Sequence, residues 1–210
     1  MKNNYDSIAG YYDVLSRMIF FRAQVKAQID QLHAIPVNST ILIAGGGTGW
    51  ILEEITKIHP SGLTITYVEI SSKMLNLSKK RDVKDNIVTY VHAAMEDFKA
   101  VVSYDVLITA FFFDNFSADN GQIVFNQLNN LLNSGGVWLF SDFYYTEKSG
   151  KRWQWLLLHT MYLFFSKISS VEAKSLVNTE HLFEKNAYLP LKTNFYYSRF
   201  IKTIIYQKTR

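Results

Sequence analysis

Cysteine is absent from this chain of 210 residues, and with it go disulfides, thiolate nucleophiles and cysteine-based zinc sites. Proline occurs only at Pro36, Pro60 and Pro190, so no proline-rich linker divides the chain, and no internal repeat does either. The longest apolar run, Trp153 to Phe165, is interrupted by Gln154, His159 and Thr160. It falls short of the ~20 residues that span a bilayer, and a buried helix is preferred to one lying on a membrane surface. Met1–Asp6 lacks the apolar stretch of a signal peptide, and a cytoplasmic location is the expectation. A dense basic stripe is missing too. Residues 1–142 hold 11 Lys/Arg against 14 Asp/Glu and residues 143–210 hold 11 against 4, but the C-terminal cations stand singly among apolar residues. Nucleic acid is therefore not an expected partner. No histidine pair has ligand spacing on one element, and no metal site is expected. What is left is a chain 48% hydrophobic, read as one domain over 1–210.

The most telling stretch is Ile41-Leu42-Ile43-Ala44 running into Gly45-Gly46-Gly47-Thr48-Gly49-Trp50, followed by Ile51-Leu52-Glu53-Glu54-Ile55. A buried strand that breaks through glycines into a helix presents bare backbone N–H groups and a positive dipole end at one place. Glycine lets a ligand come close to that backbone. The dinucleotide fingerprint Gly-x-Gly-x-x-Gly is not met, since Trp50 occupies the third glycine's place, and no Gly-Lys-Ser/Thr of a P-loop follows. A second strand, Leu63 to Val68, ends at Glu69, 22 residues beyond Gly47. A strand–helix–strand unit of that length returns the acid to the same carboxyl edge, where it can accept both hydroxyls of a ribose. Ser71 then supplies a helix N-cap.

Strands are predicted at 40–44, 63–69, 87–91, 104–110 and 136–142, with helices at 5–12, 16–34, about 49–58, 71–82 and 119–132. This alternation means a parallel sheet with helices on both faces. Beyond it a long apolar helix (about 151–168) and a shorter one (178–186) precede two β-rich stretches, 188–195 and 199–207. The Tyr196-Tyr197-Ser198 connection is too short for a crossover, so these last strands are expected to be antiparallel neighbours. Asn133-Ser134-Gly135-Gly136 reads as a glycine C-cap directly ahead of the fifth strand.

Together the Gly45–Gly49 turn, Glu69, Val91-His92-Ala93-Ala94-Met95-Glu96-Asp97-Phe98, Tyr104 to Ala110 and Leu131 to Val137, with Tyr5-Asp6 and Tyr11-Tyr12-Asp13 ahead of them, resemble the class I S-adenosylmethionine-dependent methyltransferases. The similarity is greatest to the ubiquinone/menaquinone-biosynthesis-like branch. It implies a Rossmann-like α/β fold, with a seven-stranded mostly parallel sheet, one antiparallel strand and helices on both faces. An N-terminal helical lid (about 1–35) and a C-terminal helical insertion (about 146–187) would complete it. It also implies S-adenosylmethionine as cofactor. Ala44, Gly45, Gly46 and Gly47 would face its methionine part, Glu69 its ribose, and Ile70 its adenine. Ala94 and Met95 would lie at the adenine edge, and Ala110 and Phe111 near the sulfonium, Met74 would also bind the cofactor, and Tyr5, Tyr11 and Tyr12 would belong to the lid. Two acids common in the family are absent here, their places taken by Ile43 and Ala94. Glu96 or Asp97 is the candidate replacement for the second, and main-chain carbonyls for the first.

Methyl transfer needs alignment and exclusion of water more than it needs a base. Where a proton must leave, Asp114, Asp142 and His159, with His181 after them, are the candidates. Phe111, Phe112, Phe113, Phe116, Phe143, Tyr144 and Tyr145 gather where an acceptor should lie, which suits a small apolar or aromatic molecule. The competing readings are a non-catalytic nucleoside-binding protein on the same fold and, more weakly, a nicotinamide-dependent oxidoreductase.

Overall fold

The strands read from the sequence assemble into one seven-stranded sheet of order β3-β2-β1-β4-β5-β7-β6. The computed structural model describes residue 6 and residues 9–11, 18–146, 151–168 and 176–209. In chain order the elements are α1 (Ala23–Ile29), β1 (Thr40–Ala44), α2 (Trp50–Ile58), β2 (Ser61–Glu69), α3 (Ser72–Ser78), β3 (Asp85–His92) and β4 (Tyr104–Ala110). They continue with α4 (Ala118–Leu131), β5 (Leu132–Phe143), α5 (Arg152–Ile168), α6 (Thr179–Lys185), β6 (Tyr188–Tyr196) and β7 (Ile201–Lys208). Strand β7 runs antiparallel to both β5 and β6, and β1 to β5 pair in parallel. One strand is reversed, as the short connection before it required.

Period-two alternation decides which core each strand residue joins. Leu42, Leu107, Trp138 and Phe140 point to the face covered by Val124, Phe125 and Leu128 of α4 and Phe183 of α6. Ile41, Ile43, Val106, Ile108 and Leu139 point to the other face, against Ile51, Leu52 and Ile55 of α2. Both faces are covered, so the central strands are apolar throughout. The one polar atom of Trp138 is satisfied, its Nε1 donating to Thr109 Oγ1 at 2.8 Å.

Helix α2 starts at a left-handed residue, Gly49, with φ +79°. A Cβ there would lie 2.5 Å from Ser78 Cβ and 2.7 Å from Ser78 Cα, so this glycine lets the end of α3 approach the start of α2. The cap of α3 is as expected, with Ser71 Oγ accepting from Met74 N at 3.2 Å. The helix is shorter than the predicted 71–82.

Two expectations need correction. Asn133–Gly136 does not cap α4: Leu132 is already extended (φ −85°, ψ 129°) and pairs with Tyr104. Burial of Leu132 starts the strand at once, and the next pairing is Val106 with Val137, so the glycines form a bulge in which Gly135 has φ +77°. The Trp153–Phe165 helix is not buried all round. Gln154, Leu158 and Met161 of α5 face inward, whereas Trp155 and Leu156 are exposed. Half of the predicted helix 5–12 (residues 5, 7, 8 and 12) lies outside the described residues and its other half, residues 6 and 9–11, is turn rather than helix; of the predicted 16–34 helix the regular core is α1. Among the described residues no helix is long and apolar enough to cross a membrane.

Candidate functional site

The strand order reverses direction between β1 and β4, and this is where an open α/β sheet holds its ligand. A cavity of about 150 Å³ opens there. Ala44, Gly45, Gly46, Gly47, Glu69, Ile70, Met74, Ala94, Met95, Ala110 and Phe111 all line it, whereas Tyr11, expected in the lid, is 77% exposed and does not. Tyr5 and Tyr12 lie outside the described residues.

Glu69 is the centre of the arrangement. Its Oε2 accepts from Gly47 N–H at 2.9 Å and its Oε1 from Ser71 N–H at 2.7 Å. The carboxylate thus ties the glycine turn after β1 to the start of α3. Each oxygen keeps a further lone pair for a ligand hydroxyl. Burial raises the pKa of this carboxyl above its ordinary value, and the nearby Asp6 charge adds to the rise; the N–H groups of Ser71, Gly47 and Ile70 oppose it.

The glycines of the turn have separate roles. A Cβ on Gly46 would fall 2.2 Å from Tyr67 Cζ, while one on Gly47 (φ +65°) would meet no described residue within 4 Å. Gly46 therefore makes room for the buried Tyr67 ring, whose hydroxyl donates to Gly47 O at 2.9 Å. Gly47 has open space beside it and lines the cavity.

At the end of β4, Phe111 sits at φ +51°, an unfavourable conformation for a bulky side chain. Its N–H donates to Ser141 O at 2.8 Å and its ring meets Phe143 at 5.0 Å. The reversal sends Phe112 and Phe116 to the first cavity and Phe113 and Asp114 to a second one, of about 270 Å³. Asn115 bridges the turn, its Nδ2 donating to Phe111 O, Phe112 O and Asp114 Oδ1.

Asp114 and Asp142 line the second cavity with Phe143, Tyr144, Tyr145 and Lys202. Asp142 is anchored by the N–H groups of Phe143 (2.8 Å) and Phe113 (3.2 Å). Burial pushes the Asp114 carboxyl up to about 7. Burial, and after it the Asp114 charge, raises Asp142 well above the usual carboxylate range. The Tyr162 hydroxyl is buried without a hydrogen-bond partner among the described residues, and burial with the two carboxyls raises its pKa. His159 does not belong to this group. It lies on the outer face of α5, its ring tilted against Trp155 at 3.9 Å with Nδ1 2.8 Å from Trp155 O, because the inward positions of that helix are Gln154, Leu158 and Met161. His181 is exposed on α6 and lines neither cavity.

A stability prediction follows from this carboxyl pair. A carboxyl whose folded pKa is raised contributes stability below its unfolded value, and this is lost as pH rises toward about 7. Asp114→Asn keeps the acceptor for Asn115 and removes the charge. It is expected to stabilise the fold by about 1–2 kcal/mol at pH 8 and by much less at pH 4, after allowance for cavity water reaching the side chain. Urea denaturation of both proteins at the two pH values checks this.

The sequence reasoning missed three contributors. Asp6 reaches the cap of α3, with Oδ1 accepting from Ser71 Oγ at 2.5 Å and Lys73 N at 3.1 Å. Gln24 and Gln28 of α1 also line the cavity. Helical periodicity identifies α1 as a packed helix, but nothing local tells which of its polar residues will face a cavity.

Comparison with known proteins places this geometry. Residues 42–140 match the family model for a methyltransferase domain. A malonyl-[acyl-carrier protein] O-methyltransferase from Priestia megaterium is 28% identical over 145 residues, covering 68% of this chain. That match spans about half (51%) of the relative's length. Among solved structures, a chain from a Haloferax volcanii complex of a methyltransferase activator with a methyltransferase superposes with a TM-score of 0.72 at 13% identity, covering 100% of both chains. The Burkholderia thailandensis 1,6-didemethyltoxoflavin-N1-methyltransferase, solved with 1,6-didemethyltoxoflavin and S-adenosylhomocysteine, gives 0.65 at 12% identity, covering 97% of this chain and 85% of that one.

Proposed function

We propose, from the premise that this chain carries a class I S-adenosylmethionine-dependent methyltransferase domain, that it transfers a methyl group from S-adenosylmethionine to a small apolar or aromatic acceptor. The observation that carries the reading is Glu69, held toward the glycine turn by Gly47 N–H beside a cavity at the β1/β4 switch point. A carboxylate so placed accepts ribose hydroxyls, and the open side of Gly47 admits the amino-acid part of the cofactor. Gln24 and Gln28 supply amide groups near Ile43, which lacks the family's usual acid, and Glu96 lines the cavity next to Ala94, whereas Asp97 does not.

When bound, S-adenosylmethionine would supply an electrophilic methyl group on a sulfonium, with the neutral thioether S-adenosylhomocysteine as the leaving group. The chain's part is alignment and exclusion of water. Phe111, Phe112 and Phe116 provide an apolar wall, and aromatic faces attract a cationic sulfur. Where the acceptor loses a proton, Asp114, raised to about 7, is the candidate to take it.

Isothermal calorimetry with S-adenosylmethionine and S-adenosylhomocysteine tests the cofactor, with about micromolar binding expected and silence at millimolar ligand overturning the reading. The non-catalytic alternative stays in view because Ile43 and Ala94 give the cavity no acid at those places. Turnover of methyl-labelled cofactor with extracts as the acceptor source separates the two, since a binding protein would hold the cofactor without consuming it.

A further inference from the structure

We propose that the outer face of α5, with the adjoining residues Met18 to Arg22, docks this protein on an anionic lipid surface. The inference is independent of the methyl-transfer reading. Helix α5 carries apolar residues on both faces. Its inner face, with Leu158 and Met161, packs on Phe20, Phe143 and Phe200. Its outer face shows Trp155 at 48% and Leu156 at 61% exposure, and Trp153 at its start is 39% exposed. Apolar side chains on a helix are normally covered, and among the described residues only the inner side of this helix is covered.

The patch extends beyond the helix. Trp153 and Phe20 both contact Tyr197 and Phe200 at ring-centroid distances of 5.5–6.4 Å. The chain neighbours of Phe20 therefore lie beside the start of α5. Of these, Met18 is 72% and Phe21 70% exposed. Phe21 also has φ +53°, a strained setting for a bulky ring held in solvent. Exposed tryptophan, phenylalanine and leucine at one end of the molecule are the side chains that enter the interfacial layer of a bilayer.

Charge selects the occupant. Residues 152–168 contain no Asp or Glu, and Arg22, Lys151, Arg152 and Arg199 are exposed around the patch. Gln154 Nε2, donating to Ser198 O at 2.9 Å, keeps the Arg199 turn against the helix. A two-fold dimer through this face would set the same cations against each other, while anionic head groups would neutralise them. About 25 Å of helix lying flat in the interface also fits an element too short to span the bilayer.

The test is co-sedimentation of the whole protein with phosphatidylcholine vesicles, with and without phosphatidylglycerol, at low and high salt. Binding is expected only to the anionic vesicles and is expected to fall with salt, with a blue shift of tryptophan emission. Trp155→Ser with Leu156→Ser, both at exposed positions, is expected to weaken binding about tenfold or more while melting temperature and cofactor affinity stay unchanged. Should that pair disturb folding, Lys151→Glu with Arg152→Glu serves instead and is expected to abolish the anionic preference. Equal binding to neutral vesicles, no binding to either kind, or insensitivity to both variant pairs overturns the proposal. A dimer dispersed by the serine pair, without vesicle binding, overturns it in favour of a second copy.

Discussion

Glu69→Ala is expected to weaken S-adenosylhomocysteine binding by about 1–3 kcal/mol, the range for a lost charge-assisted hydrogen bond, and to lower stability as well. Both losses share one cause. The carboxylate is the partner of two backbone donors, Gly47 N–H and Ser71 N–H, and its removal strips both in a buried place. A buried donor left without an acceptor costs about 1–3 kcal/mol. Glu69→Gln sharpens the test. Its single amide oxygen can serve one of those two donors, leaving the NH₂ group facing the other. Affinity is expected to fall nearly as far as in the alanine variant, with an intermediate loss of stability. Calorimetry and thermal melts on the three proteins decide it. An unchanged affinity in Glu69→Ala would remove the residue from the site, whatever its effect on the melt.

Most of the fold was legible in the sequence because the signals that form it are local. Apolar runs such as Ile41–Ala44 and Val106–Ile108 can only be inner strands, and the turn between Tyr196 and Ile201 is too short for anything but antiparallel pairing. The Glu69 spacing was legible because a strand–helix–strand unit has a fixed reach. What was hidden is long-range. Leu132 looks like the end of a helix, and only the buried partner Tyr104 across the sheet makes it the start of a strand. His159 sits in an apolar run that gave no sign of which side would face the protein. Gln24 and Gln28 carry no local mark of the cavity they line, and Asp6 meets the cap of α3 from 65 residues away in the chain. The Gly45–Gly46–Gly47 triplet reads as one ligand-facing unit, yet its members answer to different neighbours.

That division predicts opposite outcomes for two adjacent substitutions. Gly46→Ala puts a methyl group 2.2–2.5 Å from Cζ, Cε2 and Oη of Tyr67, a ring with no exposed surface. The ring has little freedom to retreat. Tyr90 lies 5.6 Å from it, and its hydroxyl is bonded to Gly47 O. Overpacking plus the strained or broken hydrogen bond is expected to cost about 2–4 kcal/mol, or roughly 5–15 °C in melting temperature. The penalty belongs to the pair. In a Tyr67→Leu background, which shortens the opposing side chain, the same alanine is expected to cost at least about 1 kcal/mol less. Gly47→Ala meets no described residue within 4 Å but holds φ +65°, so its stability cost is the backbone strain alone, about 1 kcal/mol. Gly47 lines the cavity assigned to the cofactor, however, and binding is expected to suffer more than folding. A double-mutant cycle on Gly46 and Tyr67, read beside melts and calorimetry of Gly47→Ala, separates the glycine that serves the fold from the glycine that serves the ligand. If Gly46→Ala melts like the parent, or if Gly47→Ala binds like it, the corresponding role is withdrawn.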